Sequence, residues 1–295
     1  MEFKQELKKY QQIVDKELEK YIIKADCPEK QLYQAMEYSV MAGGKRLRPI
    51  LVIAAYQLFK ETIEECMPYA VAIEMVHNSS LIHDDLPGID NDDFRHGKPT
   101  NHKQFNEATA ILAGDALQNK PYEIISQDLV NTKLDKMPKK IRVLQEFAQA
   151  TQKMLAGQYV DTQKEGKDIS AEELKYIHQN KTGAFLKLCV RMGAILAEAP
   201  EEQVQKLTNY AEKIGLAFQI KDDILSEEGD EKILGKPVGN DKKLGKCTYV
   251  SQYGLEKAKE ILCQTTKEAI KELDGYGEKA EFLKEFALYI QNRNK

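Results

Sequence analysis

The sequence lacks any long apolar segment. Its longest apolar run covers only residues 49–56, whereas a helix needs roughly 20 apolar residues to cross a bilayer. The N-terminal residues are charged and amphipathic, without the apolar stretch of a signal peptide. We therefore expect a cytoplasmic protein with no membrane span, in which any apolar substrate binds an internal pocket.

Cysteine is scarce and shows no metal-binding or redox pattern. The chain has five cysteines in 295 residues and no C-x-x-C pair, which excludes the common zinc and dithiol motifs. An odd number of widely spaced cysteines is typical of reduced thiols inside the cell.

An excess of one charge sign is absent as well. Lys and Arg number 43 and Asp and Glu number 47, for a net charge of −4, whereas nucleic-acid-binding domains are usually basic. We expect no nucleic-acid partner. The charges are instead segregated locally, with basic residues at 45–48 and acidic residues after His83, a distribution that suits an anionic ligand.

Alternation typical of strands is almost absent, and helical periodicity takes its place. Apolar residues recur at steps of three and four in residues 3–21 and again in residues 204–218. No Pro-rich or Ser-rich linker and no clear repeat divides the chain. The pattern predicts an all-α fold of roughly ten helices in a single domain, residues 1–295.

Two acidic segments, residues 84–93 and 222–230, are the main functional signal. Asp84 ends a predicted helix, and a Pro-Gly break follows, so the chain can turn and bring Asp90 back beside Asp84. Asp222 continues the apolar stripe of its helix, where a carboxylate needs a partner or a metal. Either segment alone is more simply a solvated face. Together, their oxygen ligands favour a Mg²⁺-bound diphosphate site.

A basic turn, Gly43-Gly44-Lys45-Arg46-Leu47-Arg48-Pro49, lies between two predicted helices. It lacks the spacing of a P-loop and is either a surface turn or a diphosphate clamp, in which Arg forks onto oxygens and Lys acts as a point charge. His77 lies two helical turns before Asp84, on the same face. Further candidates near breaks or acidic segments are Arg95, Lys181, Thr182 and Lys236.

These motifs together resemble the short-chain trans-prenyl diphosphate synthases, and most closely the bacterial farnesyl diphosphate synthases. The resemblance runs nearly end to end. The segments that carry it are residues 41–49 (MAGGKRLRP), 77–100 (HNSSLIHDDLPGIDNDDFRHGKPT), 110–118 (AILAGDALQ), 178–183 (HQNKTG), 215–225 (GLAFQIKDDIL), 234–236 (LGK) and 244–249 (LGKCTY).

The resemblance implies an isoprenoid synthase fold around a central cavity, a homodimer, and a prenyltransferase activity. The expected reaction joins isopentenyl diphosphate head-to-tail (1'-4) to dimethylallyl or geranyl diphosphate and gives farnesyl diphosphate. About three substrate-bridged Mg²⁺ ions, or Mn²⁺ in their place, are expected. The implied metal ligands are Asp84, Asp85, Asp90, Asp222 and Asp223.

The same resemblance assigns the remaining site residues by role. The isopentenyl diphosphate site corresponds to Lys45, Arg48 and His77, with His96 where the family usually has a second Arg. The allylic diphosphate clamp corresponds to Arg95, Lys181 and Lys236. The polar groups along the path of the carbocation correspond to Thr182 and Gln219.

Three departures from the family pattern leave alternatives open. Ser226 replaces the third Asp of the second acidic motif, and Glu227, Glu228 or Asp241 could compensate for it. His96 cannot fork onto a diphosphate as Arg does. These changes also allow a catalytically weakened subunit that serves as a heteromer partner.

The third departure concerns product length. Ser79 stands where bacterial farnesyl synthases carry an aromatic residue, and with Ser80 and Lys120 it is similar to geranylgeranyl diphosphate synthases. Two other enzyme classes fit less well. A class I terpene cyclase does not need the basic turn at residues 45–48, and a phosphohydrolase of the HD type needs a further set of metal-binding histidines.

Overall fold

A computed structural model of the chain describes residues 3–22, 26–167, 169–228 and 248–294. Helices dominate, which confirms the all-α prediction. The chain comprises two compact units, Met1–Ile53 with Glu61–Leu144, and Ala54–Lys60 with Gln145–Lys295. Among the described residues, no helix has the length and apolar character needed to span a membrane.

The first unit contains the first acidic segment. Its helices are α1 (Phe3–Glu19), α2 (Lys30–Val40), α3 (Leu47–Gln57, in its first part), α4 (Met67–Asp84), α5 (Asn101–Gln104), α6 (Glu107–Val130) and the start of α7 (Met137–Lys164). A short antiparallel hairpin joins β1 (Phe94–Arg95) to β2 (Lys98–Pro99).

Helix α4 is the centre of this unit. Its sequence is apolar on almost every side, as expected for a fully buried helix, and twelve of its eighteen residues are buried. It packs most extensively against α6, and the small residue Gly114 of α6 makes room for the ring of His83. The predicted stripe of α1 is confirmed, because Leu7, Tyr10, Val14 and Leu18 are buried.

The second unit contains the second acidic segment. Its elements are the remainder of α7, α8 (Ala171–Ile177), a π-helical turn (His178–Gly183), α9 (Ala184–Leu196), α10 (Glu201–Glu228), α11 (Tyr249–Tyr253), α12 (Leu255–Lys271), a 3₁₀ turn (Gly277–Ala280) and α13 (Glu281–Asn292). Helix α10 packs against α9, α12 and α13. A capping box of Ser170 and Glu173 begins α8.

Candidate active site

The first acidic segment folds back on itself after α4. The backbone N–H of Asp90 donates to the carbonyl of Asp84 at 2.9 Å, and Asn91 N–H donates to Leu86 at 3.1 Å. Asn91 has a left-handed backbone (φ 51°), which its short polar side chain tolerates. The predicted return of Asp90 beside Asp84 is therefore confirmed, with Asp84 half-buried and Asp90 exposed.

The next carboxylate, Asp85, is buried and paired with Arg95. Arg95 Nε lies 2.8 Å from both carboxylate oxygens, and Nη2 also donates to Oδ1. Burial raises the pKa of Asp85, and Asp92 and Asp90 add to this, although Arg95 opposes it. Asp85 raises the pKa of Arg95 in turn. The pair fixes the direction of a cation at the edge of the acidic segment.

The hairpin that carries Arg95 turns through His96 and Gly97. Both have left-handed backbones, with φ of 52° and 76°, as in the type I′ turn that suits a two-residue hairpin. A Cβ on Gly44 would lie 3.8 Å from His96 Nε2, so the hairpin and the basic turn are neighbours. Burial, Arg95 and Arg46 lower the pKa of His96, which keeps the ring neutral near pH 7.

Arg46 anchors the basic turn from inside. Its Nε donates to Asp15 and its Nη1 to Glu74, both at 2.8 Å, and its Nη2 donates to the Val40 carbonyl at 2.6 Å. The residue is only 3% exposed. Sequence reasoning missed this role, although Glu74, an acidic residue within a long apolar helix, was a signal. A buried Arg held by two acids is structural, and it leaves Lys45 as a neighbouring candidate for ligand binding.

Arg48, the last cation of the turn, contacts the predicted site residue His77. Its Nη1 lies 3.2 Å from His77 Nε2. Because a guanidinium can only donate, the imidazole accepts through Nε2 and carries its proton on Nδ1. Burial, Arg48 and Arg46 place the pKa of His77 well below its ordinary value. The structure thus brings together two residues that the sequence placed 29 positions apart.

A shallow cleft, open to solvent, lies beside these groups. Asp85, Arg95 and His96 are among the polar residues that line it. Leu81 and Ile82 of α4 are among the apolar ones. A cleft with cationic and apolar walls can accept an anionic group attached to an apolar chain.

In the second unit, the two adjacent aspartates of α10 have different partners. Asp223 accepts from the backbone N–H of Tyr249 at 2.8 Å, at the first residue of α11. Asp222 accepts from Nη2 of Arg293, which also donates to the Phe218 carbonyl at 3.1 Å. The partner that the sequence required for Asp222 is therefore a residue near the C-terminus.

The predicted stripe of α10 is wrong in one detail. Its early members Val204, Leu207, Ala211 and Ile214 are buried, but the side chain of Asp222 is 46% exposed. Asp223 is the buried member of the pair. Steps of three and four drift around a helix of 3.6 residues per turn, so the position of a stripe is least certain at the end of a long helix.

The π-helical turn His178–Gly183 presents Lys181, whose Nζ donates to Asp161 Oδ2 at 2.7 Å. A Cβ on Gly157 would lie 2.4 Å from Lys181 N, and one on Gly215 would lie 3.4 Å from the Cα that ends the turn. Gly157 therefore lets α7 approach the turn, whereas a Cβ at position 215 would make only an ordinary contact. Asp161 and Gly157 were not identified from the sequence, although Gly157-Gln158 in a helical pattern, one turn before Asp161, was a signal.

The remaining predicted site residues lie on the π-helical turn, on α10 or outside the described residues. Thr182 lies next to Lys181 in the π-helical turn, and Gln219 is a half-buried residue of α10 one turn after Gly215. Ser226 lies one turn beyond Asp222 on α10. Lys236 and Asp241 fall outside the described residues, and so does residue 247, the fourth of the five cysteines.

The carboxylates suit a metal shared with a ligand. Among the described residues, no three acidic, His or Cys side chains are grouped closely enough to bind a metal by themselves. Mg²⁺ in proteins is commonly held by one or two carboxylates together with waters and substrate phosphates. In the first unit, Asp84 with Asp90 offers such a partial set. In the second unit, Asp222 is a separate oxygen donor. The donor chemistry therefore fits Mg²⁺ bridged by a diphosphate.

Comparison with known proteins places these motifs in a family. The profile of the polyprenyl synthetase family matches residues 29–286. The farnesyl diphosphate synthase of Bacillus subtilis (strain 168) is 42% identical over 283 residues, which cover 95% of each chain. The geranylgeranyl diphosphate synthase of Cyanophora paradoxa is 44% identical over 269 residues, covering 89% of this chain and 88% of that protein.

A solved structure gives the same result for the fold. The FPP/GFPP synthase of Zymomonas mobilis superposes with a TM-score of 0.86 at 35% identity, covering 98% of both chains. The predicted isoprenoid synthase fold is confirmed. Relatives with products of different length match over most of this chain.

Proposed function

The chain belongs to the polyprenyl synthetase family, and we propose that it is a prenyltransferase that forms farnesyl diphosphate. The reaction joins isopentenyl diphosphate head-to-tail (1'-4) to dimethylallyl or geranyl diphosphate. The observation that carries this proposal is the arrangement at the end of α4. There, Asp84 and Asp90 are hydrogen-bonded through their backbones, beside an Arg95 that Asp85 holds in a fixed direction.

The described residues support a division of roles within the first acidic segment. Asp84 and Asp90 are proposed as metal ligands. Asp85 is also proposed for the metal site, and its bonds to Arg95 support an additional positioning role. When bound, Mg²⁺ supplies positive charge that stabilises the departing diphosphate. Arg95 is proposed to bind the allylic diphosphate. The attraction between Arg95 and this leaving group becomes stronger as negative charge develops on the diphosphate.

Isopentenyl diphosphate is proposed to bind the basic turn through Lys45 and Arg48. His77 accepts from Arg48 and so fixes the direction of its guanidinium, a role that supports the proposal. His96, neutral near pH 7, adds a weaker donor from the hairpin. Positioning the double bond close to the allylic carbon converts an encounter between two substrates into a reaction within one complex.

Several assignments remain proposals that rest on the resemblance to the family. They concern Lys181, Thr182 and Gln219 near the π-helical turn, Lys236, and the second metal ligands Asp222 and Asp223. The released diphosphate is proposed to accept the proton that the new carbon chain loses, so the reaction requires no Ser-His-Asp or Cys-His set. One polyprenyl synthase domain over residues 1–295 and a cytoplasmic location are proposed as well.

Formation of product from purified protein tests the proposal. The protein is incubated with Mg²⁺, isopentenyl diphosphate and geranyl diphosphate, and both diphosphate release and product chain length are measured. Asp84→Asn keeps the shape of the side chain and removes its charge. We expect it to lower kcat at least about 100-fold, comparable with the loss of one preorganised stabilising group. The proposal fails if the wild-type protein releases no diphosphate.

Geranylgeranyl diphosphate is the second candidate product. The observation in its favour is Ser79, a small residue that is 1% exposed and donates its hydroxyl to the Gly114 carbonyl at 2.8 Å. An aromatic side chain at this position would fill space that Ser79 leaves to its neighbours. Chromatography of the same reaction distinguishes the products by chain length.

A homodimer is proposed on the family resemblance, and the surface of α6 supports it. Adjacent apolar residues Ile111 and Leu112 of this helix are exposed, and exposed apolar patches often mark protein interfaces. Sedimentation equilibrium gives the mass in solution. A monomer at micromolar concentration would contradict the proposal, and Leu112→Lys is expected to weaken association.

A further inference from the structure

Arg293 connects the end of the chain to the second acidic segment. It is the first residue after α13, and its backbone is extended there. Its guanidinium lies 3.9 Å above the ring of Phe218 and donates to the Phe218 carbonyl at 3.1 Å. The side chain is only 6% exposed. Two contacts that do not involve Asp222 therefore hold the guanidinium in place.

The third contact of Arg293 is with a carboxylate that remains accessible. Nη2 of Arg293 donates to Oδ1 of Asp222, yet nearly half of the Asp222 side chain is exposed. An ionised carboxylate has about four lone-pair sites for donors or a metal. One oxygen is thus bound to a buried cation, while the group as a whole still reaches solvent.

We propose that Arg293 is a positioning residue that fixes Asp222 for binding a divalent metal. The inference rests on the proposed function, because that function makes Asp222 a metal ligand. A partner behind a ligating carboxylate sets its orientation, and loss of such a partner commonly weakens metal binding about 10–100-fold. Arg293 suits this role because Phe218 also holds its guanidinium, through the ring and the carbonyl.

The positive charge of Arg293 lowers the affinity for a metal ion, since it repels a bound cation. Orientation is the stronger effect here for two reasons. The guanidinium charge is delocalised and weakly hydrated, and the second acidic segment has Ser226 where a third carboxylate would stand. A site with few carboxylates depends more on the direction of each one.

The test measures Mn²⁺ binding directly, in the presence of inorganic diphosphate. The loss of the electron paramagnetic resonance signal of free Mn²⁺ gives the dissociation constant without any turnover. We expect Arg293→Gln and Arg293→Lys both to raise this constant about 10–100-fold. Asn294→Ala, an exposed neighbour in the same terminal segment, serves as the matched control and is expected to bind Mn²⁺ like the wild type.

A double-mutant cycle separates positioning from a general loss of structure. In an Asp222→Asn background, Arg293→Gln is expected to have no further effect on Mn²⁺ binding, because the group that it orients has already lost its charge. A full additional effect in that background would overturn the inference. So would an Arg293→Gln variant that binds Mn²⁺ as well as the wild type, or more tightly.

The outcome for the wild-type protein separates this inference from the proposed function. If the wild type binds no Mn²⁺ with diphosphate, the metal-dependent function fails and the inference fails with it. If the wild type binds Mn²⁺ and both Arg293 variants bind it equally well, only the inference fails.

Discussion

Arg48 and His77 form a pair in which the imidazole is the acceptor. Nη1 of Arg48 lies 3.2 Å from Nε2 of His77, and a guanidinium has no lone pair to offer in return. The ring must therefore be neutral for this contact to exist. Its surroundings keep it so, because burial and the cations Arg48, Arg46 and Arg95, together with His96, lower the pKa of His77.

The first prediction concerns stability at acidic pH. In the unfolded chain His77 takes up a proton near its ordinary pKa of 6.5, whereas in the folded protein it does so only at lower pH. As pH falls below about 6.5, proton uptake therefore favours the unfolded chain. The free energy of unfolding should fall more between pH 7 and pH 5 in the wild type than in His77→Gln, as measured by urea denaturation.

The pH range above 7 is the internal control for this experiment. There His77 is neutral in both states, so the difference in stability between the two proteins should be constant. Parallel stability curves from pH 7 down to pH 5 would contradict the prediction.

The second prediction concerns His96 and isopentenyl diphosphate. A neutral His is a weaker partner for a diphosphate than a forked Arg, so His96→Arg should lower KM for isopentenyl diphosphate about tenfold, or about 1.4 kcal/mol. Because the pKa of His96 is lowered, the wild-type KM should decrease only as the pH falls well below 6.5. The KM of the Arg variant should not change over the same range.

A cost in stability accompanies this substitution. The backbone of His96 is left-handed, a conformation that costs most residues other than Gly about 1–2 kcal/mol. His adopts this conformation more often than most residues do, so His96→Arg should lower the free energy of unfolding. Steady-state kinetics from pH 5.5 to 8 provides the test. An unchanged KM in the Arg variant would exclude the assigned role of His96.

The third prediction concerns product length. Ser79→Tyr places a large ring where a buried hydroxyl donates to Gly114, so any product longer than fifteen carbons should shorten. The added volume should also lower stability by about 1–3 kcal/mol. Ser79→Ala is the matched control, since it removes the same hydroxyl without adding a ring.

Product chromatography and thermal unfolding measure these two effects separately. A wild-type product of fifteen carbons alone would remove the case for an open pocket at Ser79. If the wild type makes longer chains and Ser79→Tyr gives the same products, the residue at position 79 does not limit elongation.

The fourth prediction uses two glycines that face the π-helical turn. A Cβ on Gly157 would lie 2.4 Å from Lys181 N and 2.9 Å from Asn180 C, both backbone atoms. Gly157→Ala must therefore displace the turn, and we expect a loss of about 1–3 kcal/mol in stability and a lower kcat. On Gly215 the added Cβ would lie 3.4 Å from Gly183, which is an ordinary contact.

Gly215→Ala is thus the matched control. Because Ala has the better helix propensity, by about 1 kcal/mol, this variant should be at least as stable as the wild type. Urea denaturation and steady-state kinetics on both variants provide the comparison, and equal losses in the two would show that the close approach at Gly157 is unimportant.

The fifth prediction concerns the buried pair Arg46 and Glu74. Arg46→Met leaves the Glu74 carboxylate buried without its main partner, so the free energy of unfolding should decrease by about 3–5 kcal/mol. The double variant Arg46→Met/Glu74→Gln removes both charges and should recover part of that loss. A single variant as stable as the wild type would show that the pair contributes little.

How much of this site the sequence could predict depends on how far apart the interacting residues lie. The return of Asp90 to Asp84 was predictable, because a Pro-Gly break between them is a local signal. The pairs of Arg46 with Glu74 and of Lys181 with Asp161 were not, since they join residues 28 and 20 positions apart. Such pairs depend on how helices pack, which periodicity does not specify.

The side chains of Asp222 and Asp223 illustrate a second limit. Adjacent residues on a helix point about 100° apart, so a small error in the position of the stripe exchanges the buried residue and the exposed one. The sequence of the second acidic segment shows that α10 carries carboxylates at its end. Their partners, Arg293 and the N-terminus of α11, came only from the structure.

The π-helical turn at His178–Gly183 determines how the length of this segment can vary. A π turn holds one residue more than the regular helix around it, and each residue rotates a helix by about 100°. Deleting one residue between 178 and 183 would rotate α9, whose residues from Phe185 to Cys189 are largely buried, away from its neighbours. For the packing of α9, substitutions within the turn are therefore better tolerated than any insertion or deletion, and homologues of this chain should align here without gaps.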